Sequence, residues 1–217
     1  MPSELVVEKF TVGPFQENTF LVGCGVTRQA VFIDPGDEAD RLAAAVEDAG
    51  LTLIGILNTH AHIDHIGAVQ ELKERFGVPF ALHPDDEFLL DQARLHAALF
   101  GVRAPPRPAV DRYLVPGEQI PVGQRLFRVL FVPGHAPGHV AFATEGHVFS
   151  GDTLFAGSIG RTDLPGGDYE TLIRSIREEL LPLGDDIEVH PGHMEDTTIG
   201  RERRSNPFLV DGGVVWR

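Results

Sequence analysis

Cysteine, basic residues and long apolar segments are all scarce in this 217-residue chain. The single cysteine, Cys24, excludes an intrachain disulfide and favours a reducing compartment, so we predict a cytoplasmic location. Lysine and arginine number 18 against 32 aspartates and glutamates, and the net charge of −14 disfavours nucleic-acid binding through phosphate contacts. No apolar run approaches a membrane span, and the first ten residues, with Glu4 and Glu8, do not resemble a signal peptide, so we expect no membrane association.

The overall amino-acid composition is that of an ordinary globular protein. Apolar residues make up 42% of the chain and charged residues 23%. A chain of 217 residues is long enough for one large domain with a well-buried core. We therefore predict a single domain over residues 1–217.

Apolar periodicity predicts strands and helices in an α/β order. Three strands come first, over 5–11, 18–22 and 29–33, and the turns between them indicate antiparallel pairing. The remaining predicted elements are helices over 40–49, 66–76, 85–100 and 169–181, strands over 51–57, 78–82, 113–115, 118–121, 124–132, 140–144, 147–150 and 187–189, and a short helix near 200–209.

The densest set of metal-binding side chains lies in the segment Thr59–His65 (THAHIDH). It holds His60, His62, Asp64 and His65 between a predicted strand end and a predicted helix start, where α/β proteins usually place their chemistry. Imidazoles and carboxylates at this density favour a divalent ion of the zinc or iron class.

Three later residues, His135, Asp152 and His193, also follow predicted strands. Each is flanked by glycine or proline, which allows the backbone to turn sharply and direct the side chain inward. With the four earlier residues they make seven candidate ligands. Asp34, which ends the third strand, is either a hydrogen-bond acceptor for a ligating histidine or only a turn former.

The other histidines match no ligand motif. We expect His83, His96 and His147 to be surface or helix residues. His139 and His190 lie close to ligands in the sequence, and a supporting role behind those ligands stays open for both.

The motifs THAHIDH, PGHAPGH, SGD and PGH, in this order over nearly the whole chain, resemble those of the metallo-β-lactamase superfamily. The resemblance implies an α/β fold, a four-layer αββα sandwich with an internal pseudo-repeat, which suits the antiparallel start. It also implies two metal sites, one held by His60, His62 and His135, the other by Asp64, His65 and His193, with Asp152 bridging both.

Two divalent metal ions are therefore the expected cofactors, with zinc first and iron or manganese as alternatives. Two such ions bring a charge of about +4, and two carboxylates and a bridging hydroxide reduce it to about +1, which favours an anionic transition state. Asp64 is also the expected catalytic residue, because it would orient that hydroxide.

The segment Phe155–Asp168 (FAGSIGRTDLPGGD) and the tail TTIGRER resemble the small bacterial glyoxalase II-like proteins. This resemblance implies hydrolysis of S-(2-hydroxyacyl)glutathione, typified by S-lactoylglutathione, through a metal-bridging hydroxide. The expected partner is this small-molecule thioester, with no nucleic acid and no membrane. A homo-oligomer is compatible with the sequence, which does not determine the oligomeric state.

Full-length glyoxalase II adds a helical C-terminal domain that holds glutathione, so glutathione binding here must be weaker, made differently, or replaced by the binding of another thiol. The 24 residues from 194 to 217 are too few for that domain, so we expect it to be absent. Arg161, Arg103 and Arg107 are the candidates for contacts to substrate carboxylates. For Arg161 an internal ion pair with an acidic neighbour is an equal alternative.

Other functions of this fold are less favoured by the sequence. A persulfide dioxygenase shares the fold and a GRTD segment but uses a single iron with fewer ligands, whereas both sites look complete here. A lactonase or β-lactamase is less favoured. The second site has His65 and lacks the cysteine ligand that is typical of many β-lactamases. Nuclease relatives have large extra domains. A non-catalytic metal-binding module would be indicated by a missing ligand, and none is missing.

Overall fold

The computed structural model describes residues 5–210, and its first sheet has six strands in sequential order. These are β1 (Leu5–Val12), β2 (Glu17–Cys24), β3 (Gln29–Ile33), β4 (Thr52–Leu57), β5 (Phe80–Leu82) and β6 (Arg112–Tyr113). The first two pairs are antiparallel and the next three are parallel. The predicted antiparallel start is thereby confirmed.

The second sheet has six strands in the order β14-β13-β10-β9-β8-β7. Its members and a small separate hairpin, β11-β12, are β7 (Gln119–Val122), β8 (Arg125–Phe131), β9 (Val140–Thr144), β10 (His147–Gly151), β11 (Leu154–Phe155), β12 (Ser158–Ile159), β13 (Glu188–Pro191) and β14 (Thr197–Thr198). All pairs are antiparallel except β10 with β13, which run parallel.

Five α-helices accompany the sheets within residues 5–210, and their ends follow local sequence signals. They are α1 (Ala39–Asp48), α2 (Val69–Phe76), α3 (Glu87–Phe100), α4 (Tyr169–Ser175) and α5 (Ile199–Ser205). Gly77 and Gly101 end α2 and α3 at φ values of 64° and 68°, a left-handed conformation that glycine adopts without steric cost. The side chain of Asp168 caps α4 by accepting the backbone N–H of Thr171 at 2.8 Å.

Side-chain alternation along the strands produces four layers. In β2, Phe20 and Val22 join the apolar core between the two sheets, whereas Leu21 packs with residues of α1, α2 and α3. In the second sheet, Val129 faces the same central core and Leu130 packs with α4 and α5. The expected four-layer αββα sandwich is confirmed.

The predicted elements are present with shifted ends and three additions. The helix predicted over 169–181 is α-helical only to Ser175, then continues as a π turn (Ile176–Leu180) and a 3₁₀ turn (Leu181–Leu183). The hairpin β11-β12 and the strand β14 were not predicted. Within residues 5–210, none of the helices combines the length and apolarity that a membrane crossing requires.

Some sequence predictions fall partly outside the described residues. The prediction that the first ten residues are not a signal peptide includes residues 1–4, and the prediction of a single domain extends beyond residue 210. Both stay predictions, as does the absence of a C-terminal glutathione-binding domain.

Candidate metal centre

The seven predicted ligands meet at one edge of the sandwich, in the loops that follow four strands. His60 lies in the loop after β4, and His135, Asp152 and His193 follow β8, β10 and β13. Because both sheets present these strand ends at the same edge, side chains that are remote in the sequence come into contact, as His193 and Asp64 do at 3.2 Å across 129 positions. From the sequence alone, the meeting of these side chains could be predicted only from the motifs THAHIDH, PGHAPGH, SGD and PGH.

The first cluster consists of His60, His62 and His135. One ring nitrogen of each lies within 4.8 Å of the others, and Nδ1 of His62 is 2.8 Å from Nε2 of His135. Nε2 of His60 is buried and has no hydrogen-bond partner among the described residues. A buried polar nitrogen without a partner is costly, and a metal ion bound by this trio would satisfy it.

Burial also sets the protonation state of this cluster. It holds the pKa of His60 well below its ordinary value and lowers the pKa of His62 to about 3. It lowers the pKa of His135 in the same direction, although the carboxylate of Asp152 opposes the shift. All three rings are therefore neutral near pH 7, which is the form in which imidazole binds a metal.

The second cluster consists of Asp64, His65 and His193, and its electrostatics are opposite. Burial disfavours charge on both histidines, but Asp152 and Asp64 together raise the pKa of His65 and of His193 above their ordinary values. The two carboxylates thus attract positive charge into this half of the site, as a proton or as a metal ion. Nε2 of His65 is buried without a hydrogen-bond partner in residues 5–210.

Asp152 lies between the two clusters. Its carboxylate oxygens are 3.5 Å from His65 Nε2, 3.6 Å from His135 Nε2 and 3.5 Å from His193 Nε2. Oδ1 of Asp152 has no hydrogen-bond partner among the described residues. Unpartnered donor atoms from both clusters and from the shared carboxylate converge here, so the residues fit two adjacent divalent ions.

Asp34 supports the second cluster from behind. Its Oδ1 accepts the backbone N–H of Thr59 at 2.7 Å, and its Oδ2 lies 3.1 Å from Nδ1 of His65. The carboxylate therefore fixes the orientation of the His65 ring, leaving Nε2 directed toward the centre. Of the two interpretations of Asp34, the hydrogen-bond acceptor is confirmed.

Glu17 and Asn18, at the start of β2, were missed because that strand was identified from its apolar residues. Glu17 is buried with Oε1 3.8 Å from Nδ1 of His65, and burial raises its pKa well above the usual range. Asn18 donates its backbone N–H to the carbonyl of Gly192 at 2.7 Å and its side-chain amide to that of Met194 at 2.8 Å. The signal in the sequence was the run Glu17-Asn18-Thr19, three polar residues at the start of an otherwise apolar strand.

The histidine predictions have mixed outcomes. His139 supports the site, because its Nε2 accepts the backbone N–H of Asp152 at 3.0 Å and its ring stacks on His60. The expectation of a surface position is wrong for His83, which is buried and stacks on Phe131. Its Nδ1 accepts the N–H of Asp85 at the start of a 3₁₀ turn, an interaction that the sequence pattern does not show.

Asp86 links the two loops that supply the first cluster. Its Oδ1 accepts the backbone N–H of Gly138 at 2.6 Å, and the N–H of Ala61 also bonds to this carboxylate. The residue is fully buried, and burial raises the pKa of Asp86 to about 7. Asp86 thus positions His60, His62 and His135 without contacting them.

Asp86→Asn should make the free energy of unfolding less dependent on pH. In the unfolded chain this carboxyl ionises near 3.8, but the folded protein keeps the proton until about pH 7. Stability contributed by the wild-type residue is therefore complete below about pH 4 and is lost as pH rises to about 7, by at most about 4 kcal/mol. Urea unfolding of both proteins at several pH values, with equal metal loading, measures the difference. A difference between the two proteins that is constant from pH 4 to 7 would contradict this role.

The three candidate arginines have different surroundings. Arg161 forms a two-pronged ion pair with Asp163 at 2.7 and 2.8 Å, and its backbone carbonyl accepts Nδ1–H of His135 at 2.7 Å. Arg107 pairs with Asp91 at 2.6 Å and with Glu87 at 3.3 Å.

Arg103 lines a cavity of about 460 Å³ together with Asp64 and Phe15. Its side chain makes no ion pair or hydrogen bond with residues 5–210, so its guanidinium is available within that part of the chain. Substrate contact by any of the three arginines stays a prediction.

Comparison with known proteins places this geometry in a family. The family model described as the metallo-beta-lactamase superfamily matches residues 12–193. The chain is 44% identical to the protein named hydroxyacylglutathione hydrolase GloC of Haemophilus influenzae, over 94% of this chain and 97% of that protein.

Two solved structures give the same fold. One is TTHA1623 in a di-iron-bound form, with a TM-score of 0.86 and 48% identity over 94% of this chain and 100% of that chain. The other is the BLEG-1 B3 metallo-beta-lactamase, with a TM-score of 0.88 and 38% identity over 94% of this chain and 99% of that one. Both structures share the fold of this chain. One is named as a β-lactamase, and the name of the other gives its bound metal but no reaction.

Proposed function

Because this chain belongs to the metallo-beta-lactamase superfamily, we propose that it is a metal-dependent hydrolase of S-(2-hydroxyacyl)glutathione thioesters, typified by S-lactoylglutathione. The observation that carries the proposal is the completeness of both ligand clusters around the shared carboxylate of Asp152. Similarity to a protein named hydroxyacylglutathione hydrolase, over nearly the whole of both chains, supports the thioester substrate.

Two divalent ions held by the seven ligands would lower the pKa of a water molecule, so that hydroxide exists at neutral pH, and would polarise the thioester carbonyl. Zinc is the first expectation, and the di-iron form of TTHA1623 supports iron as the alternative. Since both clusters offer imidazole and carboxylate ligands only, metal supply would decide between them.

Asp64 orients the attacking nucleophile in this proposal. Burial opposes its ionisation, but the neighbouring His65 and His193 keep the pKa of Asp64 below its ordinary value, so it is a carboxylate near pH 7. An ionised carboxylate accepts a hydrogen bond and thereby holds the nucleophile's proton away from the carbonyl. The side chain is 17% exposed and lines the cavity that contains Arg103, so a substrate in that cavity reaches it.

Arg103→Ala should raise KM for S-lactoylglutathione about tenfold and leave kcat nearly unchanged. A guanidinium that binds a glutathione carboxylate contributes about 1.5 kcal/mol, equally in the ground state and the transition state. Steady-state kinetics measures both constants. Arg107→Ala is the matched control, because its guanidinium is already paired with Asp91 and Glu87, and its KM should stay within about twofold of wild type. A tenfold rise in KM for Arg107→Ala alone would reverse the assignment.

The alternative function is a persulfide dioxygenase with a single iron. One preparation should be divided among metal analysis, a thioester hydrolysis assay and oxygen uptake with glutathione persulfide. Two metals per chain with thioester cleavage supports the proposal. One iron per chain with oxygen consumption and no thioester cleavage would overturn it.

A chromogenic β-lactam belongs in the same experiment because of the similarity to BLEG-1. Hydrolysis of that compound without thioester cleavage would replace glutathione thioesters by β-lactams as the substrate class. The cytoplasmic location and the absence of nucleic-acid and membrane partners are kept as part of the proposal.

A further inference from the structure

A second group of metal-binding side chains lies on β10 and β13, apart from the seven ligands above. His147 begins β10, and Glu188 and His190 belong to β13. The two strands run parallel, with His147 opposite Glu188 and Phe149 opposite His190. This register places three potential ligands together at one place in the second sheet.

The distances within the group match those of a metal site. Nδ1 of His147 is 3.0 Å from Nε2 of His190 and 3.3 Å from Oε2 of Glu188. Ligand atoms bound to tetrahedral zinc at about 2.0–2.1 Å lie roughly 3.3 Å from one another. In the main centre, Nδ1 of His62 and Nε2 of His135 are likewise two imidazole nitrogens in close contact, at 2.8 Å.

The ring of His190 is fixed in the orientation that a metal ligand needs. Its Nδ1 lies 2.9 Å from Oδ2 of Asp196, whose Oδ1 accepts a hydrogen bond from Lys9 at 2.8 Å. The ring stacks on Phe149 and contacts the edge of Phe20, and its side chain is 5% exposed. With its Nδ1–H donated to the carboxylate of Asp196, Nε2 of His190 carries a lone pair directed at the group.

Access and charge also suit a cation. The side chains of His147 and Glu188 are 27% and 53% exposed, so an ion can enter from solvent and keep a water as a fourth ligand. Two imidazoles and one glutamate with an open position are a donor set that zinc takes in proteins. The metal-free alternative is a hydrogen bond from Nδ1–H of His147 shared between Nε2 of His190 and Oε2 of Glu188, and zinc titration distinguishes the two.

We propose that His147, Glu188 and His190 form an additional divalent-metal site that takes zinc, with Asp196 orienting His190. The site stands apart from the predicted hydrolytic centre and does not depend on the reaction assigned to that centre. His190 and His193 are separated only by Pro191 and Gly192, so the additional ion would lie behind the loop that carries a ligand of the main centre.

Zinc titration of the protein with its main centre already loaded tests this site. Calorimetry with zinc chloride, checked by metal analysis after dialysis, should show one further zinc per chain in wild type and none in His147→Ala. Asp196→Asn should bind that zinc about 10–100-fold more weakly, because it removes only the partner of His190. His96→Ala is the matched control, because His96 belongs to none of the clusters in residues 5–210, and it should keep the further zinc.

Glu188→Gln provides a second arm, since an exposed side chain can be changed without affecting the fold. It should also lose the further zinc while thioester hydrolysis stays at the wild-type level. Equal zinc uptake by wild type, His147→Ala and Glu188→Gln would overturn the site, and so would wild type that takes no zinc beyond its main centre. In either case the contact would be only the shared hydrogen bond. Neither result would bear on the thioester hydrolase, which the activity assay tests separately.

Discussion

Asp152→Ala should abolish thioester hydrolysis and lower metal affinity at both halves of the centre by at least about 100-fold. The reason is its position, within 3.6 Å of histidines from both clusters. Loss of an outer-shell partner alone costs 10–100-fold in metal affinity, and a ligand shared by two ions contributes more than such a partner. Of the two predicted carboxylate ligands, Asp152 alone lies within 4.0 Å of histidines from both clusters, since Asp64 has such contacts only with His65 and His193.

The electrostatics of the centre sharpen this expectation. Among the neighbouring charges, Asp152 raises the pKa of His65 most, against the opposing effect of burial, and it also raises the pKa of His193. Without its charge, two cations would lie near several neutral imidazoles with only Asp64 to compensate them. Mutual repulsion would then oppose binding of the second ion.

Metal analysis after dialysis and kcat/KM with S-lactoylglutathione measure the two effects. Asp40→Ala is the matched control, because its carboxylate is 94% exposed on α1 and pairs only with Arg75. The control should keep both its metal and its activity. Wild-type activity in Asp152→Ala, or an unchanged metal content, would exclude the bridging role.

Apolar periodicity predicted the layers correctly because each strand and helix carries its own burial pattern. It failed where a long-range contact overrides the pattern. Ile66 continues the apolar spacing of α2, yet the helix begins only at Val69. Residues 66–68 instead pack against the loop after β3, where Gly67 lies against the carbonyl of Gly36 and the N–H of Ala68 donates to the carbonyl of Pro35 at 3.0 Å. The strands of the hairpin β11-β12 have two residues each, too few to show any period.

The candidate ligands could be selected from the sequence because histidine and aspartate at strand ends form recognisable motifs, and the structure brings their side chains together. The residues that hold them could not. Asp86 is 25 positions from Ala61 and 52 from Gly138, and only the folded chain brings its carboxylate between them. No period or motif in the sequence predicts this contact. The same holds for Glu17, which lies beside His65 through the pairing of β2 with β3 and the turn at Asp34.

Gly192→Ala should reduce kcat/KM by at least about 100-fold and disrupt the second cluster more than the first. A methyl group at this position would overlap Oδ1 of Asp152 and lie 2.7 Å from Cε1 of His65. The backbone cannot retreat easily, because the N–H of Gly192 donates to Gly151 at 2.9 Å and its carbonyl accepts from Asn18 at 2.7 Å. The ligands must therefore move, and overpacking of this kind also costs about 1–3 kcal/mol of stability.

The cause of that loss can be isolated, since Gly192 does not have a positive φ and alanine is allowed there without backbone strain. Gly55→Ala is the matched control. It too lacks a positive φ, and its new methyl would meet only Pro79 at 3.7 Å and Val31 at 3.8 Å, which are ordinary contacts. Kinetics, metal analysis and urea unfolding on both variants separate displaced ligands from lost stability. A Gly192→Ala protein with two metals and wild-type kcat/KM would contradict the prediction, because it would show that Asp152 and His65 accommodate the methyl group without loss of function.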